Sequence, residues 1–192
     1  LPEPYASLLE EVRNESERQV KAMCEKLNGI LETEKVGFTL DFNRIKNELT
    51  KGMVRERHLA KALRMKVYGI YGEDKERIKA MLEKIFGGKP LRASVENIVE
   101  VENEIRSNLL KAGGRAFVPE DAKAFLSIET ICEIVLAAGG IPTYPFLGDD
   151  AQGNYTDFEK DLECVAKELT KRGFHSVEFI TTRNRVDLLE KY

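Results

Sequence analysis

The strongest constraint on this chain lies between Ile141 and Ile180, where two short apolar segments flank an amphipathic stretch. The first segment runs from Ile141 to Leu147 and the second from Ser176 to Ile180. Between them Phe158, Leu162, Val165 and Leu169 recur at three- and four-residue steps, and Gly173 ends the pattern. Strand, helix, strand in that order makes the two strands parallel neighbours joined by a right-handed crossover. Thr156, with Glu159 three residues on, reads as a capping box that opens the helix over 156–172. Pro142 and Pro145 weaken the first strand as a regular ladder. Parallel sheets are covered on both faces, so two short strands imply a place in a larger α/β sheet or barrel.

The remainder reads as helix. Leu9, Val12, Ser16, Val20, Met23, Leu27 and Ile30 mark one long helix over the first 31 residues. Val36 to Phe42 is a strand or an extended link, and Asp41 is placed to cap a helix carrying Ile45 and Leu49. A basic helix follows from Val54 to Val67, broken at Gly69 and Gly72. Ile78, Met81, Leu82 and Ile85 define another, stopped at Gly87-Gly88. Ser94 is placed to cap a helix with Val95, Ile98, Ile105 and Leu109, which stops at Gly113-Gly114. Ser127 caps a nearly continuous apolar helix to Gly139-Gly140. The expected division is therefore a helical, insertion-like region over 1–112 and a βαβ-containing part over 113–192.

Charge and cysteine use narrow the function classes. The 30 Lys and Arg nearly balance the 33 Asp and Glu, and a net charge of -3 argues against a dedicated nucleic-acid binder. Lys51, Arg55, Arg57, Lys61, Arg64 and Lys66 read as a solvated helix face, with Tyr68 and Tyr71 the only aromatic neighbours. Cys24, Cys132 and Cys164 are odd in number and widely spaced, as reduced thiols in a cytoplasmic protein would be. No apolar run approaches the roughly 20 residues of a membrane span. His58 and His175 have no second His nearby and read as structural. The start at Leu1 and the stop at Tyr192 read as those of a domain fragment.

In parallel α/β architectures ligands bind beyond the carboxyl ends of the strands, where loops and helix N-termini converge. That rule selects Asp149, Asp150, Asn154 and Tyr155 after the first strand. After the second it selects Thr181, Thr182, Arg183, Asn184 and Arg185. Carboxylate oxygens suit a cation and guanidinium groups suit phosphate. A helix starting at about Asn184 would add its N–H groups to an anion site. The plainer alternative makes Asp149 and Asp150 loop solubilisers and has Arg183 and Arg185 cover the sheet.

Three stretches carry a family resemblance: RERHLAKAL from Arg55, GRAFVPEDAKAFLSIETICEIVLAAGGIPTYPFL from Gly114, and KRGFHSVEFI from Lys171. Together they resemble the later part of PHP (polymerase and histidinol phosphatase) domains, over roughly residues 37–68 and 113–182. The resemblance implies an α/β fold that is part of a distorted β/α barrel, with the helical region as an insertion. It further implies a metal-dependent phosphoesterase, a hydrolase of phosphate esters that uses divalent metal ions. Departures from the family pattern are specific. No His-x-His pair occurs, no closing Asp-x-His follows, and the ligand His of the family's Ala-His-Pro strand falls on about Phe146. No metal ligand is therefore assigned within this chain. Two further readings stand beside the hydrolase: a non-catalytic binding or regulatory module on a degenerate PHP-like scaffold, and a helical interaction domain. The expected partner is a small phosphorylated molecule, with neither nucleic acid nor membrane.

Overall fold

A computed structural model describes residues 2–148, 156–157 and 159–179. Glu10–Phe125 forms one compact unit, and the described residues up to Leu9 together with the described residues from Leu126 onward form a second.

The first unit is helical. Helix α1 runs over Tyr5–Thr33 and buries Val20, Met23, Cys24, Leu27 and Leu31 along one stripe. It continues through Asn28-Gly29 because Asn28 is occupied elsewhere. Its side-chain amide accepts from the Leu40 N–H at 2.8 Å and donates to the Leu40 carbonyl at 2.9 Å. That pair supplies the hydrogen bonds a neighbouring strand would have supplied. The segment around Leu40 is thus extended without belonging to a sheet.

Asp41 caps helix α2, Phe42–Leu49, by accepting from the Arg44 N–H at 2.8 Å. Helix α3, Glu56–Tyr71, runs through Gly69 and stops only at Gly72. Helix α4 covers Lys75–Ile85. Helix α5, Ile98–Ile105, starts from Asn97 and not Ser94, since Asn97 accepts from the Glu100 N–H at 3.3 Å. It passes into a π-helical turn over Arg106–Leu110, closed by the Lys111 N–H to the Arg106 carbonyl at 2.8 Å. Gly114 follows because nothing larger fits: a Cβ there would lie 2.5 Å from the Leu109 carbonyl carbon. Leu59, Leu63, Val67, Leu82, Ile105 and Leu109 meet the α1 stripe in a single apolar core.

The second unit holds helix α6, Ile128–Ala137, with Ser127 accepting from the Thr130 N–H at 3.1 Å. Strand β1 follows at Thr143–Phe146, helix α7 at Leu162–Lys171, and strand β2 at Ser176–Phe179. The strands pair in parallel, Thr143 opposite Ser176 and Phe146 opposite Phe179. Gly173, at φ 89°, ends α7 and turns the chain toward β2. Asp161 opens α7 by accepting from the Cys164 N–H at 3.0 Å, so the helix begins later than the Thr156–Glu159 pair implied.

The expectation of an α/β fold on part of a β/α barrel is overturned. The described residues are 59% helix and 5% strand, and no barrel is evident among them. A barrel closes a ring of strands, each paired on both sides. The described residues supply one two-stranded sheet. Elsewhere main-chain groups are bonded within helices, in turns, or by side chains, as at Leu40, Leu91 and Ala93.

Candidate functional site at the carboxyl end of the sheet

Parallel pairing brings the carboxyl ends of β1 and β2 to one edge, and Glu159 sits at the β1 side of it. This residue is only 2% exposed. Its Oε1 accepts from the Tyr144 hydroxyl at 3.0 Å and from the Leu147 N–H at 2.9 Å. Its Oε2 accepts from the Gly148 N–H at 2.8 Å and from the Thr156 hydroxyl. The Thr156 N–H reaches the Gly148 carbonyl at 3.3 Å, and the Glu159 N–H reaches the Thr156 carbonyl at 3.1 Å. One carboxylate thereby ties the end of β1 to the start of the chain leading into α7.

The electrostatics follow from that arrangement. Burial pushes the Glu159 carboxyl up, but hydrogen bonds from Thr156, Leu147, Gly148 and Tyr144 outweigh it and hold the group below its ordinary value. Tyr144 responds in the opposite sense. Burial, then its hydrogen bond to Glu159 and the charge of Glu159, push its hydroxyl up to about 12. Beneath the carboxylate, Phe146 packs edge-on against Phe179 with ring centroids 5.5 Å apart, and Tyr144 meets Phe174 at 6.1 Å.

Sequence reasoning found Thr156 and Glu159 as a pair but assigned them the wrong task. In a capping box the threonine oxygen accepts a main-chain N–H and the glutamate reaches back to the cap. Here the Thr156 hydroxyl donates to Glu159, because that carboxylate is committed to the amides of Leu147 and Gly148. Neither Glu159 nor Tyr144 stood among the candidate site residues. Those candidates, Asp149, Asp150, Asn154, Arg183, Asn184 and Arg185, lie outside the described residues, as do Tyr155, Thr181 and Thr182.

The described residues do not fit the divalent metal centre that the resemblance implies. No group of three or more His, Cys, Asp or Glu among them stands ready to hold an ion. Donors from the described residues already fill the four acceptor positions of the Glu159 carboxylate. Phe146, at the family's ligand position, is 4% exposed and packed into the sheet. His58 uses Nδ1 to accept from the Arg55 N–H at 2.9 Å, which starts α3. His175 precedes β2 and so lies at the amino end of the sheet, away from Phe179.

Thiol chemistry finds no support either. Cys24 and Cys132 are buried, Cys164 is exposed on α7, and none forms a disulfide. Burial, with the charges of Glu25 and Asp41, pushes the Cys24 thiol up to about 11, which disfavours the nucleophilic thiolate. Among the described residues no helix is long and apolar enough to cross a membrane. Comparison with family models, with curated proteins and with solved structures yields no match.

Proposed function

We propose that the edge where β1 and β2 end binds a small phosphorylated molecule, and that the chain takes part in a phosphoesterase of the kind its sequence resembles. One observation carries this reading: the parallel register of Phe146 with Phe179. Both strands therefore end on the same side, and Asp149 and Asp150 follow one in sequence as Arg183, Asn184 and Arg185 follow the other. Guanidinium groups at Arg183 and Arg185 would meet the phosphoryl oxygens through paired N–H donors. Asn154 and Asn184 would orient the ester, and Asp149 or Asp150 would handle a hydroxyl proton. Glu159 acts through position alone, holding the Leu147 and Gly148 amides at the start of the first loop. A cytoplasmic setting goes with this reading and is supported by three cysteines that form no disulfide.

A second reading, the non-catalytic binding module, is favoured by Phe146. The side chain at the expected ligand position is an aromatic ring buried against Phe179, where it strengthens the sheet and binds no ion. The two readings share the ligand and differ in turnover. The test is titration of the chain with p-nitrophenyl phosphate, followed by hydrolysis assays with added manganese or zinc. Binding with metal-stimulated release of nitrophenol supports the esterase, and binding without turnover supports the module. Absence of binding in both the presence and absence of metal overturns both.

A further inference from the structure

Where the end of α3 meets α4, a hollow of about 390 Å³ is lined by Tyr71, Arg77, Ala80, Met81 and Lys84. That volume lies within the range of small-molecule sites. Four of the five come from α4 at i, i+3, i+4 and i+7, which sets them on one face of the helix. Ile78, Leu82 and Ile85 turn the adjoining face of α4 into the core, so Arg77, Ala80 and Lys84 stand exposed. Ala80 contributes only a methyl group, which keeps the floor between the two cations low. No carboxylate lines the hollow. Glu83 of the same helix is turned away to accept the Leu91 N–H at 3.0 Å.

The polar groups of this hollow have few partners of their own. Tyr68, one turn earlier on α3, donates its hydroxyl to the Val95 carbonyl at 2.6 Å and carries the Arg64 guanidinium 5.6 Å above its ring. Tyr71 does neither: half-buried against the core, it has no hydrogen bond, cation or second ring among the described residues. Lys84 makes no ion pair among the described residues. Arg77 is held along one edge, its Nε 3.2 Å from Asp74 Oδ2, while Asp74 Oδ1 caps α4 through the Arg77 N–H at 3.1 Å. Asp74 lies outside the lining. The terminal guanidinium nitrogens stay free among the described residues, and they are the paired donors that suit phosphoryl oxygens.

We propose that this hollow binds a small aromatic phosphate monoester of mononucleotide size. Its ring would lie on Tyr71 and the Met81 thioether, and its phosphate between Arg77 and Lys84. The lining selects this occupant. Two cations without a carboxylate match a phosphate monoester, which carries about -1.5 to -2 charges at neutral pH. A bare phosphate would leave Tyr71 and Met81 idle, and a neutral ring would leave both cations idle. Arg77 and Lys84 lie about 10 Å apart along the helix axis, a gap their long side chains can close on one group. This inference is independent of the sheet-edge reading, since no residue is shared between them.

The test is titration of the whole chain with adenosine monophosphate, read from the amide shifts of residues 71–84. The expected result is saturation with a Kd below about 1 mM, weakened by salt. Adenosine and inorganic phosphate should each bind at least about tenfold more weakly. Lys84→Glu should weaken binding at least about tenfold, by setting a like charge beside the phosphate. Lys84→Gln serves if the reversal unfolds the chain, and should still weaken binding. Tyr71→Leu keeps apolar bulk against the core but removes the ring, and should cost about tenfold, whereas Tyr71→Phe should bind as the unaltered chain does. Lys79→Glu, on the opposite side of α4, should leave affinity unchanged. So should Arg183→Ala, which separates failure here from failure at the sheet edge. Absence of saturation overturns the proposal. So does equal binding of adenosine or inorganic phosphate, or unchanged affinity in the folded Lys84 and Tyr71→Leu variants.

Discussion

Glu159 accepts the main-chain N–H of Gly148 at 2.8 Å through an oxygen that also takes the Thr156 hydroxyl. Removing the carboxylate strands buried donors at both ends of that clasp. Glu159→Ala should therefore destabilise the second unit by about 3 kcal/mol, and Glu159→Gln by about half as much. Urea unfolding followed by near-ultraviolet circular dichroism of Tyr144 reads the difference.

The same carboxylate predicts an acid-side dependence. Its folded-state pKa is held below the unfolded value, so its stabilisation is complete above the ordinary carboxylate pKa. It is lost as pH falls through the depressed folded value. Tyr144 gives the alkaline counterpart. Its folded pKa of about 12 lies above the ordinary 10, so its contribution declines as pH rises from 10 toward 12. Denaturant midpoints measured across pH in Glu159→Gln and Tyr144→Phe should show each limb flattened in the matching variant.

His58 should titrate below its ordinary value, because burial first and the Arg57 charge next both disfavour the imidazolium. Its neutral Nδ1 holds the start of α3, and this support is lost as pH falls below about 6.5 through the folded pKa. His58→Ala should cost about 0.5–1 kcal/mol, in the range of a lost helix cap. Proton–nitrogen spectra of the imidazole check both the tautomer and the direction of the shift.

Gly114→Ala should destabilise the helical unit by about 2 kcal/mol, as an overpacking change does. The added Cβ would meet the Leu109 main chain at 2.5 Å, and backbone does not yield as a side-chain tip would. Thermal unfolding of the variant is the check. Alkylation gives an independent test of burial. At neutral pH only Cys164 should react quickly with iodoacetamide, with Cys24 and Cys132 joining it in urea.

What was legible in the sequence was local. Asp41 and Ser127 announce the helices they cap, since each is an oxygen-bearing side chain just ahead of an apolar stripe. The parallel strands follow from their spacing around α7. Long-range commitments were not legible. Nothing near Asn28 signals that it satisfies Leu40, and nothing near Glu159 signals that its oxygens belong to the amides of Leu147 and Gly148. The barrel rested on the resemblance and on the rule that two short parallel strands belong to a larger sheet, whereas the described residues pair two strands and are otherwise mostly helical. The rule for parallel sheets selected Asp149, Asp150, Arg183 and their neighbours, which lie outside the described residues, and it did not single out Glu159.

The most direct test of the central claim compares Arg183→Ala with His175→Ala in titrations against a phosphate ester. Arg183 follows the carboxyl end of β2 and His175 precedes its amino end, about 10 Å away across the paired residues of the strand. The account predicts that Arg183→Ala weakens binding about tenfold or more, as loss of a charge-assisted contact does, and that His175→Ala leaves it unchanged. Unchanged affinity in Arg183→Ala, or an equal loss in both variants, would contradict a phosphate site at the carboxyl end of the sheet.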